Sequence, residues 1–175
     1  MESVSKKKKV TAKFKPFPMK RVLIALDYDQ SAQKVAEKGF SMAKNMNAEV
    51  ILLHVVADAT YYSVLEYSPI TGYSGFNNLD FQQLANGEGL QKASQYFLEK
   101  IKLHLNDKTI KILLEDGNSA KAILKTAKKE QVDLIIMGSH SRRWLEKILL
   151  GSVAEKVLHK SRLPVTIIPI RERKS

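Results

Sequence analysis

Gly138 ends an apolar run, and Gly151-Ser152 opens another, with a basic stretch containing Arg142 and Arg143 between them. Because glycine lacks a Cβ atom, a phosphate can approach its backbone closely. The N–H groups and the dipole at the start of a helix also favour a bound anion. Arginine side chains can neutralise phosphate, although loop arginines are more often solvated. The stretch is therefore either a pair of ordinary turns or the two halves of a phosphate site.

Ser152 begins the sequence Ser-Val-Ala-Glu, which has the spacing of a helix capping box. This spacing predicts that the Ser152 hydroxyl accepts a hydrogen bond from the backbone N–H of Glu155. Gly138 is expected to let the chain turn at the end of its strand. Each feature is common by itself, so the phosphate interpretation depends on whether the fold brings Gly138 and Gly151 together.

Few other residues carry chemistry. Asp27 directly follows an apolar run, where a carboxylate can contact a ribose hydroxyl or simply end a strand, and the residues leave both interpretations open. The chain has no cysteine, which excludes disulfides and thiolate metal sites. No histidine has metal-ligand spacing, and nucleophile-elbow and P-loop motifs are absent. The sequence therefore favours a binding protein over an enzyme; hydrolysis, slow at most, would depend on His140, Arg142 and Arg143.

The elements that must position these residues alternate along the chain. Short apolar runs predict strands over 21–27, 48–56, 109–116, 132–138 and 163–170, and helical spacing predicts helices over 31–46, 88–105, 119–130 and 152–161. Asn118 is placed to cap the third helix. The alternation predicts a doubly wound α/β fold, a five-stranded parallel sheet of order 3-2-1-4-5 with helices on both faces. Ligands of such folds lie at the carboxyl ends of the first and fourth strands, which carry Asp27 and Gly138.

Length and charge predict one α/β domain over 20–170, with a long aromatic-rich loop at 57–87, a basic flexible tail at 1–19 and a basic tail at 171–175. Residues 1–20 contain seven lysines and one glutamate, hence +6 of the net charge of +11. The body is thus only mildly basic, and nucleic acid is not expected as a partner. The absence of cysteines, of a secretory signal and of a long apolar run indicates a cytoplasmic protein without a membrane span.

Two segments resemble a known family. VDLIIMGSHSRRWLEKILLGSVAEKVLHKSRLPVTIIP resembles the C-terminal signature of the universal stress protein family, and RVLIALDYDQSAQKVAEKGFSMAKNMNAEVILLHVV resembles its first βαβ unit. The likeness covers roughly residues 20–170. The nucleotide-binding branch of this family has Gly, two residues, Gly, nine residues, and then Gly-Ser or Gly-Thr. Gly138, Ser141 and Gly151-Ser152 keep that spacing, with serine in place of the middle glycine.

The resemblance implies a regulatory or stress-response switch that binds an adenine nucleotide, ATP or AMP, with any Mg²⁺ held by the phosphates. Carried over to this chain, the site has Asp27 at the ribose, Val55 at the adenine through its backbone, and Met137 lining the base pocket. Ala25 lies where binding members often have proline. The phosphates are surrounded by Gly138, Ser141, Gly151, Ser152 and Val153, beside Arg142. Val55 and Met137 are equally well explained as core residues, because apolar residues on buried strands need no ligand.

Ser141 keeps a second interpretation open. Serine still offers an N–H and a hydroxyl donor to a phosphate, but the family also contains members that lack these glycines and do not bind ATP. The alternative is a nucleotide-free, dimeric interaction module that works through protein contacts, with a protein partner that the sequence does not identify. The resemblance further implies a homodimer in which the last strand, residues 163–170, pairs across a two-fold axis and so covers an apolar sheet edge.

Overall fold

The structure, a computed structural model, describes residues 17–27, 31–56, 87–139 and 150–170. Within these ranges five strands and four helices alternate: β1 (Arg21–Leu26), α1 (Ala32–Asn45), β2 (Glu49–Val56), α2 (Gly87–Leu105), β3 (Lys111–Asp116), α3 (Ser119–Lys129), β4 (Leu134–Gly138), α4 (Ser152–Lys160) and β5 (Val165–Ile168). Most of the predicted tail at 1–19, the loop at 57–87 except Gly87, and the tail at 171–175 lie outside the described residues.

The five strands are parallel and lie in the order β3-β2-β1-β4-β5, which confirms the predicted topology. β1 lies at the centre of the sheet, where Ala25 is opposite Leu53 of β2 and Met137 of β4. The chain adds β2 and β3 on one side of β1 and then crosses over to add β4 and β5 on the other side. The switch point of the sheet therefore lies between β1 and β4. A crevice is expected outside the carboxyl ends of two strands related in this way.

Two apolar layers cover the sheet, one on each face. α1 and α2 lie on one face, where Phe97 packs in the same cluster as Ile24 of β1. α3 and α4 lie on the other face, where Ile123 and Val157 belong to the second apolar cluster, against which Ala25 of β1 packs. Successive residues of β1 therefore point into different layers. Burial on both faces explains why this strand has an almost continuous apolar sequence.

The ends of the elements follow local chemistry. β5 has four residues rather than the predicted eight, because Pro164 and Pro169 flank it and proline has no N–H to donate to a sheet. Asn118 caps α3 as predicted, with its side-chain oxygen accepting from the backbone N–H of Lys121 at 3.1 Å. Met19, assigned to the N-terminal tail from the sequence, packs against the core.

Asp107 organises the turn that joins α2 to β3. One carboxylate oxygen accepts from the Thr109 hydroxyl at 2.6 Å and from the Thr109 backbone N–H at 2.8 Å. The other is 3.1 Å from the ammonium group of Lys44 on α1. The hydrogen bonds from Thr109, followed by the contact with Lys44, lower the pKa of Asp107 from 3.8 to about 2. The charged carboxylate therefore stabilises the folded chain.

Asp107→Asn is expected to lower the melting temperature at neutral pH, because the amide cannot attract Lys44 as the carboxylate does. A carboxyl group whose pKa is depressed by folding stabilises the protein above its unfolded pKa and loses that effect as the pH falls. The difference in melting temperature between wild type and variant should therefore shrink as the pH falls from 3.8 towards about 2. Thermal unfolding followed by circular dichroism across this range measures it.

Glu99→Gln is the matched control for this experiment. Glu99 lies on α2 and accepts a hydrogen bond from Gln95 within the same helix. The substitution removes the same charge without affecting the turn, so it should change the melting temperature much less. A difference between wild type and Asp107→Asn that stays constant down to pH 2 would contradict the assigned role of the Asp107 charge.

Candidate functional site

A cavity of about 350 Å³ lies at the carboxyl ends of the strands. The ends of β1, β2 and β4 form its floor, and the first turns of α1, α3 and α4 form its walls. This is the crevice that the reversal of strand order between β1 and β4 predicts. The fold thus brings the segment after β1 and the start of α4 to one place, although more than 100 residues separate them in the sequence.

The structure places eight of the ten sequence-predicted site residues on the wall of this one cavity. They are Ala25, Asp27, Val55, Met137, Gly138, Gly151, Ser152 and Val153. The other two, Ser141 and Arg142, lie outside the described residues, as do His140 and Arg143. Gly138 and Gly151 therefore line the same space, which was the condition on which the phosphate interpretation depended.

The start of α4 differs from the predicted capping box. Gly151, not Ser152, is the N-cap, with extended backbone angles of φ −63° and ψ 149°, and its carbonyl accepts from the N–H of Glu155 at 2.9 Å. Ser152 is already the first helical residue, so its hydroxyl does not cap the helix, and the predicted bond from Ser152 to Glu155 is wrong. A glycine N-cap carries no side-chain acceptor. The N–H groups of the first turn, which have no partner within the helix, are left without a side-chain cap.

Gly138 also differs from its sequence interpretation. It is the last residue of β4 and is still paired with Ile168 of β5, so the chain does not turn at this residue. A Cβ atom at this position would lie 2.5 Å from the Cδ1 atom of Ile170 and 3.0 Å from the Cγ2 atom of Val35. Glycine is therefore required for close packing of these two side chains, in addition to any role it has towards a ligand.

His54 supports the end of β1 from the neighbouring strand. Its ring is 1% exposed, and its Nδ1 atom lies 2.9 Å from the Leu26 carbonyl oxygen. Because a carbonyl oxygen only accepts, Nδ1 carries the proton. Burial lowers the pKa of His54, against the opposing effects of the Leu26 bond and the nearby charge of Asp27. A neutral imidazole thus holds the carbonyl of the residue directly before Asp27.

Several lining residues were missed from the sequence. Gly117, Asn118 and Ser119 lie where β3 leads into α3, and Lys156 lies one turn along α4 from Ser152. Gly117 has a φ of +94°, which favours glycine. The predicted strand order already put the end of β3 beside that of β2, and helical spacing put Lys156 on the face of Ser152. The strand order could therefore have identified the residues between β3 and α3 as lining residues, and the helical spacing could have identified Lys156.

Charge at the cavity is sparse in the described part of the chain. The described residues that line it include two charged side chains, Asp27 after β1 and Lys156 on α4. Among the same residues, no three carboxylate or imidazole groups lie close enough together to hold a metal ion. No helix in the described ranges is both long enough and apolar enough to cross a membrane.

A parallel sheet with this strand order and a cavity at its switch point defines the doubly wound class of α/β proteins. In this class the carboxyl edge of the sheet is the usual place for a ligand. Within this class the chain belongs to the universal stress protein family, whose family model matches residues 18–169.

The relatives agree with this assignment. The chain is 34% identical over 154 residues to universal stress protein MJ0577 of Methanocaldococcus jannaschii, covering 85% of this chain and 94% of the relative. A solved structure of MJ0577 has a TM-score of 0.63 at 29% identity and covers 90% of this chain and 100% of that one. A universal stress protein solved in complex with cAMP has a TM-score of 0.55 at 18% identity, covering 87% of this chain and 98% of that one.

Proposed function

We propose that the protein binds an adenine nucleotide, ATP or AMP, in the cavity at the carboxyl edge of the sheet and acts as a cytoplasmic regulatory or stress-response switch. The observation that carries the proposal is the meeting of three kinds of group in one cavity. These are an acidic residue, Asp27, two apolar residues, Val55 and Met137, and the start of α4 at Gly151. A ribose, a base and phosphates need these three environments.

Each group of residues has a defined role in the proposal. Asp27 accepts a hydrogen bond from a ribose hydroxyl, and Ala25, Val55 and Met137 contact the base. Gly138, Ser141, Arg142, Gly151, Ser152 and Val153 surround the phosphates. Support comes from the size of the cavity, which lies within the usual range for small-molecule sites. The fold is compatible with a nucleotide, since a universal stress protein has been solved with cAMP.

Any Mg²⁺ would be held by the phosphates, and its contribution would be to shield their charge. Binding would act as a switch because the ligand contacts two separate parts of the chain. A nucleotide that contacts both Asp27 and Gly151 ties β1 to α4. Its occupancy can then favour one relative position of β1 and α4, and so alter a surface for a protein partner.

Isothermal titration of the purified protein with ATP and magnesium, and separately with AMP, tests the proposal. Binding should release or absorb heat and should raise the melting temperature in proportion to the logarithm of nucleotide concentration. Nucleotide carried through purification can be released by denaturation and identified by chromatography. No heat and no thermal shift at millimolar nucleotide would overturn the proposal in favour of a nucleotide-free module.

A second candidate function, assembly into a homodimer, is favoured by the edge position of β5. Val165, Thr166 and Ile167 are half-buried within the single chain, and β5 pairs with β4 alone in the described part of the sheet. The carbonyls of Pro164 and Ile168 accept from the N–H groups of Ile135 in β4 and of Ser139 directly after it. The backbone groups of Val165 and Ile167 therefore point to the open side. An apolar strand with open backbone groups suits pairing with a second copy.

Ile167→Pro is expected to convert the dimer into a monomer, because proline removes an N–H from the open side of β5 while edge strands tolerate it. Ile167→Val keeps the N–H and should remain dimeric. Sedimentation velocity at micromolar concentration distinguishes the two states. A wild-type chain that sediments as a monomer would rule out the dimer.

A further inference from the structure

Lys156 gives the cavity a positive side chain that the sequence motif does not include. It lies on α4 four residues after Ser152, which places both residues on one face of the helix, and it lines the cavity. Side chains on a helix lean towards its N-terminus. This tendency directs Lys156 towards the first turn of α4, and Gly151 and Ser152 of that turn line the same cavity.

Lys156 forms no ion pair within the described residues. The ion pairs of that part of the chain join Arg21 to Glu49, Lys44 to Asp107, His104 to Glu37 and Lys111 to Glu130. The carboxylate nearest in sequence, Glu155, takes no part in them. Lys156 is thus a cation that no described side chain neutralises, on the same cavity wall as a helix N-terminus that already favours an anion. Among the described residues that line the cavity, the only other charged side chain is that of Asp27, which follows β1.

We infer that Lys156 sets the preference of the site for the number of phosphates, and that it favours nucleoside triphosphates over monophosphates and cyclic nucleotides. The inference rests on the proposed nucleotide binding and adds to it the charge class of the ligand. Uncharged residues of the site, such as Val55 and Met137, contribute the same binding free energy to ATP, ADP and AMP, because these nucleotides carry the same base. Lys156 acts only on the phosphate charge, so its contribution rises with the number of negative charges in reach.

The expected effect is moderate because Lys156 is exposed to solvent. Exposed ion pairs change equilibrium constants by up to about fivefold, and salt screens them. Lys156→Met should therefore weaken ATP binding by about fivefold and AMP binding by less than about twofold. The ratio of the ATP and AMP affinities is the informative quantity, because a general loss of folding or of base binding would change both affinities together.

Titration calorimetry with ATP, ADP and AMP at low and high salt, on wild type and four variants, tests the inference. Lys156→Met should lower the ATP-to-AMP affinity ratio, and Lys156→Arg should restore it. Lys160→Met is the matched control, since Lys160 lies one turn further along α4 and does not line the cavity. It should leave the ratio at the wild-type value. High salt should reduce the difference between wild type and Lys156→Met.

The outcomes separate this inference from the function on which it rests. If Lys156→Met binds ATP and AMP with the wild-type ratio, or if Lys160→Met changes the ratio equally, the role of Lys156 is overturned while nucleotide binding stands. If the wild-type protein binds none of the three nucleotides, the proposed function fails and the inference fails with it. Lys156→Gln provides a second neutral variant, so that the result does not depend on one substitution.

Discussion

Gly151→Asp is expected to weaken nucleotide binding severely and to leave the protein at least as stable as the wild type. Gly151 lines the cavity and is the residue from which α4 starts. A carboxylate at this position would lie where the proposal puts the phosphates. Like charges brought together in a binding site cost several kcal/mol. A loss of about 3 kcal/mol corresponds to roughly a hundredfold weaker binding.

The fold should tolerate the change because of the backbone at Gly151. Its extended angles, φ −63° and ψ 149°, are open to any residue, and it is the N-cap of α4. Aspartate is a better N-cap than glycine, since its side chain can accept from the N–H groups of the first turn. Its charge also interacts favourably with the helix dipole. The expected gain in the free energy of unfolding is a few tenths of a kcal/mol.

Thermal unfolding and titration calorimetry on the same preparation measure the two effects together. Gly151→Asn is the matched control, because asparagine has nearly the same size and caps helices as well but carries no charge. It should bind ATP more tightly than Gly151→Asp does. A Gly151→Asp protein that is stable and binds ATP like the wild type would remove the start of α4 from the proposed phosphate site.

The sequence predicted the architecture because burial and local chemistry act on neighbouring residues. β1 is apolar from Val22 to Leu26 since both faces of the sheet are covered, and that pattern is visible in the sequence. Asn118 caps α3 through a residue three positions away. The positions of Asp27 and Gly138 at the carboxyl edge follow from strand order alone. Their meeting in one cavity could therefore be anticipated.

The remaining features depend on contacts between distant residues. Nothing near Gly138 in the sequence shows that Ile170 and Val35 pack where its side chain would be. The Ser-Val-Ala-Glu spacing was compatible with an N-cap at either Gly151 or Ser152, and in the structure the N-cap is Gly151. Nothing near His54 shows that it bonds to the carbonyl of Leu26, 28 residues earlier in the chain. Such features are determined by tertiary packing and not by local pattern.

Gly138→Ala is expected to lower the free energy of unfolding by about 1–3 kcal/mol, the usual cost of forcing an extra methyl group into a packed site. The new methyl would lie 2.5 Å from the Cδ1 atom of Ile170 and 3.0 Å from the Cγ2 atom of Val35. Ile170 can give way by moving its side chain, whereas Val35 is buried on α1 and has little room. Adding Ile170→Ala should remove the worse of the two contacts. The double variant should therefore be destabilised by less than the sum of the single variants.

The same double variant separates the two roles of Gly138. Chemical denaturation gives the coupling between positions 138 and 170, and additive single effects would contradict the packing role. Nucleotide titration then compares the double variant with Ile170→Ala alone, so that only the methyl at 138 differs. We expect weaker ATP binding in the double variant, because the methyl still lies on the cavity wall after Ile170 has been shortened. Equal binding by the two proteins would mean that glycine at 138 serves the contact with Ile170 and Val35, leaving the phosphates to the start of α4.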